Sequence, residues 1–129
     1  MRYGFERDLR GTTVEQAIER VTAALAREGF GVLTRIDVKD TLKKKLDLEF
    51  RGYVILGACN PNLAHRALTA EPQIGLLLPC NVVGQEAGDG VIVSIADPRA
   101  MFQIVDNPAL APIVDESERR LRAVIAGIG

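Results

Sequence analysis

The chain has 129 residues, 47% of them hydrophobic and 26% charged, the size of one domain and an ordinary globular make-up that argues against a disordered chain. Lys and Arg total 16 against 17 Asp and Glu, a net charge of −1, so the basic footprint of a nucleic-acid or anionic-membrane binder is missing. The 2 cysteines are too few for a disulfide scaffold or a four-cysteine zinc site.

Residues 2–9 alternate, with Tyr3, Phe5, Arg7 and Leu9 on one side, and predict a first strand. Thr12 and Glu15 have the spacing of a capping box, in which each side chain takes the other residue's amide. Val14, Ala17, Ile18, Val21 and Leu25 then recur at helical spacing, so the first helix is expected over 13–28, closed by Gly29. Phe30, Val32, Thr34, Ile36 and Val38 alternate as a second strand. A short helix over 40–49 follows, capped by Asp37 or Asp40. Its i,i+4 pairs are Asp40/Lys44, Lys43/Asp47 and Lys45/Glu49.

Residues 52–59 form a buried third strand. Asn60-Pro61 is a helix start, with Asn as cap and Pro in the first turn, and that helix ends near Glu71-Pro72. The run from Ile74 to Val83 is apolar on both faces and is placed as a central strand, with Pro79 marking a bulge or a gap in its ladder. Gly88-Asp89-Gly90 turns the chain into a fifth strand, 91–96, completing a hairpin that Asp97-Pro98 stops. The last helix starts at Asn107-Pro108 with Leu110, Ile113, Val114, Leu121, Val124, Ile125 and Ile128 on its apolar side. The total is a single α+β domain over 1–129: a mostly antiparallel sheet of about five strands with helices packed on one side.

Charges begin at Arg2, too early for the apolar core of a signal peptide. The longest apolar runs fall well short of the ~18 residues of a spanning helix. The expectation is a cytoplasmic protein with neither membrane nor nucleic acid among its partners. Lys43-Lys44-Lys45 does not change this, because successive helical residues point about 100° apart and acidic neighbours flank the run.

Chemistry-bearing residues concentrate in two similar segments, Cys59-Asn60-Pro61 and Pro79-Cys80-Asn81. Cys59 precedes a helix start, where unpaired amides favour a thiolate or a ligand oxyanion. Asn60 and Asn81 offer amide donors and acceptors. The same residues have a purely structural reading: free cysteine fills small apolar spaces, and Asn60 caps a helix. His65, the only histidine, stands one turn into that helix, where it could join the two cysteines around a metal or serve as a base. Glycine-rich phosphate loops, nucleophile elbows and paired zinc-ligating histidines are all missing, so no enzyme class and no cofactor is assigned.

Ala58-Cys59-Asn60-Pro61 followed by Leu77-Leu78-Pro79-Cys80-Asn81-Val82 resembles the bacterial and archaeal family called domain of unknown function 302. The likeness extends over nearly the whole chain, through the Gly-Asp-Gly hairpin, Asp97-Pro98 and the closing helix. The resemblance implies a TATA-binding-protein-like arrangement of sheet and helices and association as a homodimer. It implies no activity, substrate or cofactor. Cys59, Asn60, Pro61, Pro79, Cys80 and Asn81 match the family's motif, whereas His65 is not carried by it.

Three functions are therefore expected to compete. The first is a small-molecule or partner-binding domain whose site holds Cys59, Asn60, Pro61, His65, Cys80 and Asn81, with no metal. The second is thiol-based redox or transition-metal binding through Cys59 and Cys80. The third is an assembly module that dimerises through the sheet or the last helix, a property that can accompany the first.

Overall fold

A computed structural model describes residues 1–129. It forms one five-stranded sheet whose strands pair antiparallel throughout. In chain order the elements are β1 (Gly4–Arg10), α1 (Val14–Arg27), β2 (Gly31–Asp37), α2 (Val38–Leu46), β3 (Tyr53–Cys59), α3 (Pro61–Ala70), β4 (Cys80–Ala87), β5 (Gly90–Ala96), α4 (Pro98–Phe102) and α5 (Ala111–Gly127). The spatial order is β1-β5-β4-β3-β2, so α1 carries the chain from one edge strand to the other.

Strand alternation sorts the two faces. Val54, Leu56 and Ala58 of β3, Val82 of β4, and Val91, Val93 and Ile95 of β5 are buried on one face. Against it pack Ala17, Ile18, Val21, Ala24 and Leu25 of α1, Leu63 and Ala67 of α3, and Ile113, Leu121 and Val124 of α5. This is the expected α+β layer, and the apolar spacings read along helices 1 and 5 are the stripes that meet the sheet. Arg7, on the core-facing side of β1, reaches the far end of α5 and donates to the carbonyls of Ile125 (3.1 Å) and Ala126 (2.6 Å). A cation there satisfies orphan carbonyls and complements the helix dipole.

Several local expectations need correction. The capping box of α1 is built by Thr13 and Gln16, each accepting the other's amide at 3.1 Å, one residue later than Thr12 and Glu15. Thr12 is buried and donates instead to the Arg10 carbonyl, and Glu15 pairs with Arg35 across to β2. Both registers satisfy the motif, and the turn's need for the Thr12 hydroxyl decides between them.

α2 starts directly from β2 with Asp37 as its cap, and it ends at Leu46, where Asp47 turns left-handed at φ 52°. Lys43–Asp47 and Lys44–Asp40 form as predicted, but Glu49 lies beyond the helix and pairs with Lys43 rather than Lys45. The largest correction concerns Ile74 to Pro79. Pro72–Leu77 is a 3-10 helix, Leu78-Pro79 is a cis peptide, and the central strand begins only at Cys80. Pro79 thus precedes the ladder instead of interrupting it. The hairpin loop is Gly88-Asp89, with Gly88 supplying the positive φ (58°) that its first position needs. A further short helix, α4, follows Asp97, and Pro108–Leu110 is a 3-10 turn leading into α5.

Candidate functional site

β3 ends and β4 begins side by side, with Ala58 opposite Cys80 and Gly57 opposite Asn81. Gly57 is required at this junction: a Cβ there would lie 2.7 Å from Pro79 Cγ and against the Thr34 hydroxyl. Next to it, β2 carries a bulge between Val32 and Thr34. The bulge puts Thr34 and Ile36 on the other face from Val32, so the alternation read along this strand does not mark one face. Leu33 is the extra residue at this bulge. Together with α3, the 3-10 helix, α4 and α5, these segments enclose a half-open recess of about 520 Å³.

Cys59, Asn60, Cys80 and Asn81 all line this recess, as does Pro79. Pro61 and His65 do not; both lie exposed on α3. The two motif segments are therefore brought together, while the histidine expected beside them is left outside. No group of three or more His, Cys, Asp or Glu residues is close enough to hold a metal ion.

Asn60 is only 8% exposed and both ends of its amide are occupied: Oδ1 accepts from the Leu63 amide at 3.3 Å, and Nδ2 donates to the Glu28 carbonyl at 3.4 Å. It caps α3 and ties that helix to the end of α1. Asn81 is exposed and its side chain has no protein partner. The matching Cys-Asn pairs thus differ in kind, one asparagine holding the fold and the other free.

The two cysteines differ as well. Cys80 stands opposite Ala58 on the core side, so Cys59, one residue further along β3, leaves the sheet from the other face. Both are free thiols. Cys80 is half-buried, and its Sγ is directed at the Ala96 carbonyl, 3.7 Å away. Burial, reinforced by the negative charge of Asp97, pushes its pKa from 9.0 up to about 12, so it stays a protonated thiol at physiological pH.

Of the 23 residues lining the recess, 17 are hydrophobic and none is Asp, Glu, Lys, Arg or His. Several were not singled out from the sequence, among them Leu33, Leu76, Met101 and Ser117. Ser117 had a legible signal, since it sits between Ile113 and Leu121 at i,i+4 spacing, a hydroxyl in the middle of an apolar stripe. Leu33 had none, because its direction depends on the bulge.

A five-stranded antiparallel sheet with helices on one face and an uncharged recess at one end defines a single-domain α+β protein with one main cavity. The family model of "Domain of unknown function DUF302" matches residues 5–128, and the chain belongs to that family. Among solved structures it is similar to an uncharacterized conserved DUF302 protein from Bacillus stearothermophilus, with 31% identity, full coverage of both chains and a TM-score of 0.91. No curated protein matches the chain. No helix is long and apolar enough to cross a membrane.

Proposed function

We propose that this protein is a binding domain that takes up a small molecule in the recess between the β3 end, the β4 start and α3, and that it works as a homodimer in the cytoplasm. The observation that carries the reading is the recess itself. Its roughly 520 Å³ falls within the size range of ligand pockets, and it gathers five of the six residues of the two motif segments. Asn81, which also lines it, carries an exposed side chain on the same face of the sheet as Cys59, at no core position. A reducing compartment suits two unpaired thiols. Support for the dimer comes from β2, whose seven residues are all exposed, and from α2, which buries none.

Thiol chemistry is the weaker reading. It needs two reactive sulfurs, and the burial of Cys80 holds one of them protonated on the far side of the sheet from Cys59.

A thermal-shift screen of the full chain against a broad metabolite set tests the binding reading, with Ala64→Phe as the control that fills the recess. At least one compound is expected to raise the melting temperature of the wild type and not of the variant. If no compound acts, or if the variant responds equally, the recess is not a ligand site.

A further inference from the structure

Building on the recess as a ligand site, we propose that its ligand is an uncharged, largely apolar molecule bearing one small carbonyl or hydroxyl head, not a phosphorylated or carboxylated metabolite. Three independent features of the recess point this way.

The first is its charge. An ionised group brought into the recess meets no countercharge from any of the 23 lining residues, and desolvating it without a partner is costly. The start of α3 does not compensate. Pro61 has no N–H, and the Leu63 amide already donates to Asn60, so two of the amides that would cradle an anion are missing.

The second is the polar inventory. Both ends of the Asn60 amide are engaged within the protein, and Cys80 is directed at the Ala96 carbonyl. What remains is the Ser117 hydroxyl on the helix side, together with the Cys59 thiol and the Asn81 amide, which the β3–β4 register sends out from the opposite face of the sheet. That set can satisfy one head group. It cannot satisfy a sugar or a nucleotide, whose many donors and acceptors would be buried unpaired.

The third is the mouth. Leu33 is 67% exposed and Leu76 83%, and Leu68 and Met101 beside them are also exposed. The apolar lining thus continues out to the solvent. An apolar ligand covers these side chains, whereas a polar one leaves them wet.

The test titrates the full chain with N-phenyl-naphthylamine, a neutral fluorophore that brightens in apolar surroundings, and then competes it with decanol, decanamide, decanoate, citrate and ATP. Saturable binding of one probe per chain is expected, displaced by decanol and decanamide and not by citrate or ATP. Decanoate should compete about tenfold less well than decanamide, a difference of about 1.4 kcal/mol. Ala64→Phe should abolish probe binding. Leu76→Glu, at a side chain too exposed to affect folding, should weaken it several-fold, and Asn81→Ala should weaken decanamide more than the probe.

If citrate, ATP or decanoate binds better than decanamide and Ala64→Phe blocks that binding, the ligand class is wrong and the recess stands as the site. If neither group of compounds binds, or if the probe binds wild type, Ala64→Phe and Leu76→Glu alike, the recess reading fails along with this one.

Discussion

Asn60 and Asn81 occupy equivalent places in two similar motifs, yet only one of them belongs to the fold. Asn60→Ala removes the cap of α3 and leaves the Glu28 carbonyl without one of its donors; the other, Arg120 Nη1, sits at 3.2 Å. The expected loss is about 1–2 kcal/mol in urea unfolding. Asn81→Ala removes no protein contact and should leave stability within about 0.5 kcal/mol, while lowering ligand affinity. Equal losses in the two variants would mean that Asn81 is structural too. Cys80 supplies a pH test of the same kind. Its folded pKa is raised to about 12 from 9.0, so between those values the unfolded chain gives up a proton that the native state keeps. Stability should be unaffected by this thiol below about pH 9 and fall above it, by up to about 1.4 kcal/mol per pH unit, and Cys80→Ala should flatten that fall. A wild-type curve that matches the variant's from pH 9.0 upward would show that the thiol ionises freely.

Among the elements, α5 depends on a residue from the other end of the chain. Arg7→Met keeps the apolar stem of the side chain and deletes both hydrogen bonds to the Ile125 and Ala126 carbonyls, and it should cost about 1–2 kcal/mol in denaturant unfolding. Amide exchange should quicken first in the last turn of α5. An unchanged unfolding midpoint would mean that solvent caps the helix equally well. Elements defined by one-sided apolar spacing were legible in the sequence: Ala17 to Leu25 in α1 and Ile113 to Val124 in α5 are buried as their periods require. The hairpin at Gly88-Asp89 and the cap at Asn60-Pro61 were equally plain, because each rests on the local chemistry of a few residues. Ile74 to Leu78 was not legible because a short apolar run has no period to separate a strand from a tight helical turn. The recess shows the same limit. Its cysteine–asparagine segments stood out in the sequence, but that Cys59 and Cys80 leave opposite faces, and that His65 stays outside, follow from strand register, which no local pattern states.

At the scale of the whole molecule, one side of the sheet is finished and one edge is not. β2 exposes all seven residues and offers unpaired backbone groups, a template for another strand. Val32 and Ile36 on that strand, and Leu46 and Leu48 at and after the end of α2, are large apolar side chains left in water, and α2 adds no buried residue to cover them. A second copy docked on this edge would bury both the strand and these side chains, which is the physical ground for the proposed homodimer. Sedimentation across the micromolar range should give a dimer, and the thermal midpoint should rise with protein concentration. Ile36→Lys combined with Leu48→Lys should give a monomer, since docking that covers these exposed positions would desolvate the lysines. Neither residue lines the recess, so the double variant also separates assembly from ligand binding. A monomeric variant that binds the neutral probe as the wild type does makes each chain a complete site. One that loses the probe places part of the site's stability in the second copy, and a wild type that sediments as a monomer throughout the range removes the dimer altogether.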